Sequence, residues 1–232
     1  MDKKVTLITG TSKGIGKELV HYYVNKGHIV VGCSRSPIEW QLDGYTHHLA
    51  DVSNEKEVLQ IFKQIKKDYG RLDHLINNAG IASMNHSLLT SIKTVDDIFR
   101  TNFIGTFLFS REAAKLMKKN NYGRIVNFST VSVPIKLDGE AIYAASKAAI
   151  VSLTQILAKE LVDFGITVNA VGPNPIHTDL IAGVPADKLK KLINMQVIKR
   201  YGKVEDIENI IDFFLKKESD FITSQVIYLG GL

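Results

Sequence analysis

The chain of 232 residues is 45% apolar and 23% charged, carries a net charge of +5 and contains one cysteine. That balance excludes a disordered chain and is enough for one sizeable core, while the lone Cys33 excludes an internal disulfide and a cysteine-held metal cluster. The basic residues are dispersed in pairs such as Lys66 and Lys67 or Lys190 and Lys191. They lack the clustering a nucleic-acid groove requires. No metal, nucleic-acid or membrane partner is expected. The first apolar run, 5–8, is too short for a leader or a span, and no other stretch reads as long and apolar enough to cross a bilayer, so the cytoplasm is the expected compartment.

In chain order the expected strands cover 5–9, 29–32, 46–49, 72–76, 124–128, 167–171 and 225–228. The expected helices cover 16–25, 55–69, 95–118, 141–164 and 205–216. Strands alternating with helices predict an α/β fold, a parallel sheet covered on both faces. Gly27, Gly70, Gly123 and Gly165 stand where helices should stop before the next strand. Without a repeat or a linker, residues 1–232 read as one domain. Its rhythm breaks between about 172 and 204, where Pro173, Pro175 and Pro185 precede a polar, helix-like piece at 187–195. Open sheets place ligand-closing segments beyond the carboxyl ends of their strands, so a mobile substrate flap is expected there.

The first strand runs into Thr9, Gly10, Thr11, Ser12, Lys13, Gly14, Ile15 and Gly16, and a helix follows. Glycines let the backbone approach a pyrophosphate, and the helix start supplies free N–H groups and a positive dipole end. A strand–turn–helix context of this kind predicts a doubly wound, Rossmann-type dinucleotide-binding fold with a mostly parallel seven-stranded sheet flanked by helices. An NAD site places a carboxylate on the ribose about 20 residues further on. This chain has Ser34 and Arg35 there, and Arg35, with Lys13 in the turn, can hold a 2′-phosphate. NADP(H) is therefore expected over NAD(H).

Tyr143 and Lys147 lie four residues apart in an alanine-rich stretch that predicts a helix, so both side chains share one face. A cation beside a phenol favours its ionised form. A phenol tuned in this way can exchange a proton with an alcohol or carbonyl oxygen. Alone, the spacing is more often that of an ordinary surface pair.

Together these motifs resemble the short-chain dehydrogenases/reductases of the compact single-domain type, above all the 3-oxoacyl-acyl-carrier-protein reductases. The resemblance spans nearly the whole chain: the glycine turn, Asp51 and Val52, the run from Asn77 to Gly80, Asn102, Tyr143 and Lys147, and the run from Val168 to Pro173. It implies that Asp51 and Val52 hold the adenine and that Asn78, Ala79 and Gly80 pass under the ribose, with Asn77 and Asn78 equally suited to tying strands together. It implies that Pro173, Ile176 and Thr178 flank the nicotinamide. Tyr143 would be the general acid/base, with Lys147 on the nicotinamide ribose and Asn102 bending its helix and feeding a proton relay. A homotetramer or dimer, and a small-molecule or carrier-bound carbonyl substrate, are implied as well.

Two departures stand out. Where the family usually has serine, 13 residues before the tyrosine, this chain has Thr130, which is assigned the substrate-polarising role with Ser129 and Ser132 as other hydroxyls. Where Pro-Gly is usual, Pro173, Asn174 and Pro175 follow one another, and Asn174 is expected to supply a positive φ. These departures give footing to a rival reading, a catalytically impaired nucleotide-binding or structural subunit of the same fold. His177 reads as a loop histidine or a substrate contact.

Overall fold

A computed structural model describes residues 3–231. In chain order the elements are β1 (Val5–Thr9), α1 (Gly14–Asn25), β2 (Ile29–Ser34), β3 (Tyr45–Leu49), α2 (Glu55–Tyr69), β4 (His74–Asn77), α3 (Ile92–Phe99), a π turn (Arg100–Ile104) and α4 (Gly105–Met117). They continue with β5 (Gly123–Phe128), α5 (Ser132–Ile135), α6 (Ala141–Leu161), β6 (Ile166–Gly172), α7 (Ala186–Met195), α8 (Val204–Leu215) and β7 (Val226–Tyr228).

Alternation along the strands sorts the core into two layers. In β1, Val5 and Leu7 enter one buried cluster and Ile8 the other; in β2, Val31 and Cys33 enter the first and Val30 the second. Helices α2 and α4 seal the first face through Val58, Ile61, Leu108 and Phe109, and α1 and α8 seal the second through Leu19, Val20, Ile207 and Phe214. The strands pair in the order β3-β2-β1-β4-β5-β6-β7, and every pair is parallel, more uniformly than expected. Between β1 and β4 the winding reverses, which opens a crevice at the carboxyl ends.

Local chemistry explains the element ends. Asn54 caps α2 by accepting from the Lys56 amide, acids occupy its first turn and lysines its last, and Gly70 closes it at φ 67°. The stop expected at Gly123 lies elsewhere: Asn121, at φ 48°, takes the left-handed turn. Gly123 instead opens β5 because a Cβ there would strike the Met117 side chain.

Two further expectations are corrected. The helix expected over 95–118 starts earlier, at Ile92 behind a Ser91 cap, and is interrupted by the π turn. The segment Ala141–Phe164 is long and apolar enough to cross a membrane by length and composition, against the expectation that none is. Its apolarity has a packing cause, since this helix lies on β5, β6 and the π turn with Tyr143, Lys147, Ile150 and Leu157 buried.

Between β6 and α8 the chain leaves the sheet for an irregular excursion that carries α7. Ile176 forms a bridge with Gly202 at its base, and the Val197 and Ile198 amides donate to the Gly231 and Gly230 carbonyls at 3.2 and 2.9 Å. Asn174 is not in the left-handed region. Its side chain acts instead, donating from Nδ2 to Gln196 Oε1 at 2.5 Å and tying the flap's first residues to its last.

Candidate active site

The turn after β1 is held shut from below. Asn78 Nδ2 donates to the Thr9 and Gly10 carbonyls at 2.9 and 3.1 Å, and the Ala79 amide donates to Thr9 Oγ1 at 3.0 Å. Gly10 sits at φ 74°, and a Cβ on Gly16 would overlap the Gly10 carbonyl oxygen, so both glycines are required. No side chain caps α1 and no acid lies in its first turn, which leaves its N–H groups facing the crevice. Asn77 ties β4 to its neighbours, donating to Asn127 Oδ1 of β5 at 2.8 Å and Ser110 Oγ of α4 at 3.0 Å.

A cleft of about 710 Å³ runs along these groups. Gly10, Ser12, Lys13, Gly14, Ile15 and Gly16 line it, as do Ser34, Arg35, Asp51, Val52, Asn78, Ala79, Gly80 and Thr178. The hydroxyl of Ser34 is turned into its own loop, donating to the Ser36 carbonyl at 2.7 Å beside His47. Arg35 is exposed on the rim. Asp51 Oδ1 accepts from the Ser53 amide and hydroxyl, both at 2.8 Å. Lys13 reaches across the mouth to Asp179 of the flap at 2.7 Å, a pairing the sequence did not foretell. His177 is exposed and stacks on Tyr201 at the same mouth. A bare helix start, a glycine cradle and this elongated cleft fit a dinucleotide.

A second cavity of about 420 Å³ adjoins the first, sharing Ile15, Asn78, Gly80 and Thr178. Thr130, Tyr143, Lys147, Pro173 and Ile176 line it. All four candidate catalytic side chains are buried. Asn102, inside the π turn, clamps the loop after β4. Its Oδ1 accepts from the Ile81 amide at 2.9 Å, and its Nδ2 donates to the Ile81 carbonyl and Ser146 Oγ at 3.0 Å each. The loop's Gly80 lies between Asn102 and the Lys147 ammonium.

Electrostatics here departs from the sequence argument. Burial pushes the Tyr143 phenol up to about 12, a hydrogen bond with Thr130 offsets part of the rise, and the Glu140 charge adds to it. Burial pushes Lys147 down to about 8. The expected depression of the phenol by Lys147 is not seen, because desolvation dominates and the Lys147 ammonium is turned to the Phe128 carbonyl at 2.8 Å.

Of the other hydroxyls, Ser129 is turned to the Lys147 carbonyl, whereas Ser132 stays in the cavity with Thr130, their oxygens 3.2 Å apart. Glu140, three residues before Tyr143, also lines the cavity, and so do Lys188 and Lys191 of α7. Nothing in the sequence singled them out. Its place as the N-cap residue of the tyrosine helix, three positions ahead of Tyr143, was the available signal for Glu140.

Comparison with known proteins identifies the family. A family model described as enoyl-(acyl carrier protein) reductase matches residues 10–231. The 3-oxoacyl-[acyl-carrier-protein] reductases FabG of Rickettsia bellii and Haemophilus influenzae are 34% and 30% identical, covering 98% and 100% of this chain and 95% and 98% of their own. A short-chain type dehydrogenase/reductase of Picea abies is 33% identical over 98% of this chain and 91% of its own. Among solved structures, ElxO with NADP bound superposes with a TM-score of 0.89 at 29% identity, over 98% of this chain and 97% of its own. A short-chain dehydrogenase of Leptospira borgpetersenii with bound NAD+ gives 0.91 at 26% identity, over 100% and 92%. With the parallel sheet, the glycine cradle and the buried tyrosine–lysine helix in place, these matches make the chain a member of the short-chain dehydrogenase/reductase family.

Proposed function

We propose that this oxidoreductase is an NADP(H)-dependent reductase of ketones or 3-oxoacyl thioesters, with Tyr143 as its proton donor. The observation that carries the reading is the Tyr143–Thr130 hydroxyl pair, buried in a cavity that opens onto the dinucleotide cleft. When bound, the dinucleotide supplies the hydride, and the protein supplies orientation and charge. Thr130 Oγ1 and the Tyr143 hydroxyl hold the carbonyl oxygen between them. A phenol raised by burial keeps its proton through neutral pH, the state a reductase needs. Lys147 contributes positive charge beneath the developing alkoxide. Asn102 keeps the Gly80–Ile81 backbone in place under the site.

Support for NADP(H) comes from Arg35 on the rim and Lys13 at the mouth, and from an NADP-bound structural relative. Met84, Val131, Leu137 and Val184 give the cavity apolar lining, and Lys188 and Lys191 line it as well, Lys188 beside Met84. That mixture suits an acyl chain delivered by an acidic carrier. We also propose a homo-oligomer joined through α4 and α6, where Phe107 and Ile156, with Ile104 of the adjoining π turn, leave apolar surface exposed. The test is oxidation of NADPH and NADH with a panel of ketones and 3-oxoacyl thioesters. Tyr143→Phe is expected to remove turnover while NADPH binding persists. Full turnover in that variant, or NADPH binding without turnover in the wild type, would refute the assignment.

A further inference from the structure

Behind the wall of the dinucleotide cleft, four polar side chains join the glycine turn to the loop after β2. Thr11 of the turn and Ser34 at the end of β2 are buried, and Tyr45 and His47 of β3 link them. Thr11 Oγ1 lies 2.7 Å from the Tyr45 hydroxyl, which lies 2.7 Å from His47 Nδ1. His47 Nε2 lies 3.1 Å from Ser34 Oγ, and Ser34 Oγ donates to the Ser36 carbonyl at 2.7 Å. Gly32 makes room for the row, since a Cβ there would strike both the Tyr45 hydroxyl and Thr11 Oγ1. The row is no core support: β3 is an edge strand whose residues are all half-buried or exposed.

One arrangement of protons uses every short contact in the row. A carbonyl oxygen only accepts, so Ser34 spends its single hydrogen on Ser36 and must accept from His47 Nε2–H. Burial lowers the His47 pKa, which keeps the ring neutral at neutral pH. A neutral imidazole carries one N–H, so Nδ1 is an acceptor, filled by the Tyr45 hydroxyl, whose oxygen accepts from Thr11. The other contacts of Thr11 Oγ1, with the Cys33 carbonyl and His47 Nδ1, are longer, at 3.4 Å each. What the row holds is the bend after β2. Ser34, Arg35 and Ser36 line the cleft, and the Ser34 hydroxyl bonded two residues along fixes the backbone on which Arg35 stands. Lys13, another cation of the cleft lining, is paired with Asp179.

We propose that His47 is a positioning residue for recognition of the cofactor's 2′-phosphate. Held as the Nε2–H tautomer by Tyr45, it locks the Ser34–Ser36 bend so that Arg35 meets the phosphate, and through Thr11 it ties that bend to the glycine turn. The inference rests on the NADP(H) reading above. It makes cofactor choice depend on two residues of an edge strand that do not themselves line the cleft. Loss of the row leaves Arg35 in place chemically but frees its backbone, so the bend must be ordered when the phosphate binds. A cofactor without the 2′-phosphate makes no demand on Arg35 and is indifferent to the row.

Two measurements test the row. Fluorescence titrations with NADPH and with NADH compare wild type, His47→Leu, Tyr45→Phe and the double variant, with His47→Gln as the conservative control. Tyr45→Phe keeps the ring that stacks on Trp40 and removes only the hydroxyl. Each single variant is expected to weaken NADPH binding by roughly 3- to 10-fold, the range of one lost hydrogen bond, and to leave NADH binding as it is. The double variant should be no worse than His47→Leu, because both break one row. His47→Gln should recover most of the loss, since its amide can donate to Ser34 and accept from Tyr45. Equal losses for both cofactors, or a full NADPH preference in His47→Leu, overturn the proposal. Independently of any cofactor, imidazole nitrogen NMR, with His47 assigned by its absence in His47→Gln, should show the Nε2–H tautomer. The Nδ1–H tautomer, or a mixture of the two, overturns the row. A wild type that binds NADPH no more tightly than NADH would refute the NADP(H) reading and the phosphate role with it, an outcome distinct from a preference that survives the loss of His47.

Discussion

Lys147 is a charge that the fold holds against its own stability, and this can be measured. Burial lowers its ammonium from 10.5 to about 8. At about 1.4 kcal/mol per unit, keeping it charged inside the protein costs about 3 kcal/mol near pH 7. Below pH 8 lysine is protonated in both the folded and unfolded states, and the penalty is complete. Between 8 and 10.5 the unfolded chain still binds the proton and the folded one does not, so stability rises with pH. Above 10.5 neither state binds it and the penalty is gone. Replacing Lys147 with Met removes this titration along with the Phe128 hydrogen bond, whose contribution does not change with pH in the variant. Urea unfolding at two pH values therefore isolates the charge. Between about pH 7 and about pH 9.5 the wild type is expected to gain about 2 kcal/mol relative to Lys147→Met. The variant should be inactive throughout. A stability difference that stays constant across this range would refute the argument that burial governs Lys147.

Other consequences can be tested separately. His74 is buried beside Thr6 and His28 and is pushed from 6.5 to about 3 by desolvation. Its folded form is neutral, so the stability it contributes is complete above 6.5 and lost as pH falls toward 3. Urea unfolding of the wild type at about pH 5 should show a loss of about 2 kcal/mol that His74→Gln does not share. Gly16→Ala is expected to abolish NADPH binding in a fluorescence titration, since its Cβ must displace the Gly10 carbonyl. Arg35→Ala should weaken NADPH binding by roughly 10- to 100-fold, the range of a charge-assisted hydrogen bond, and leave NADH binding unchanged. Asp179→Asn releases Lys13 from an exposed ion pair, so stability should change by less than about 1 kcal/mol while NADPH binds more tightly.

Much of the fold was legible because it depends on local patterns. Short apolar runs such as those of β1 and β2 mark strands buried on both faces, and the glycine turn announces its own context. Tyr143 and Lys147 were found by helical spacing. What escaped depends on contacts distant in sequence. The π turn at Asn102 sets its side chain on the Ile81 backbone, 21 residues away; no periodicity encodes that contact, and only the family resemblance pointed to a bend there. Gly123 was misjudged because its constraint is the Met117 side chain rather than a backbone angle. The phenol's shift was misjudged because spacing reveals the neighbouring cation but not the loss of water around both groups. Glu140 was passed over because its place on the cavity lining follows from the fold and not from local spacing.

The anchoring of the flap bears on how such an enzyme can change its substrate. Its base is stitched by main-chain contacts, Ile176 with Gly202 and residues 197–198 with 230–231, and by the single Asn174–Gln196 pair. The side chains between these anchors, from His177 to Met195, supply much of the cavity wall and little of the sheet's support. Substitutions within this segment are therefore expected to reshape the cavity while the cradle, the tyrosine helix and the folding core stay as they are.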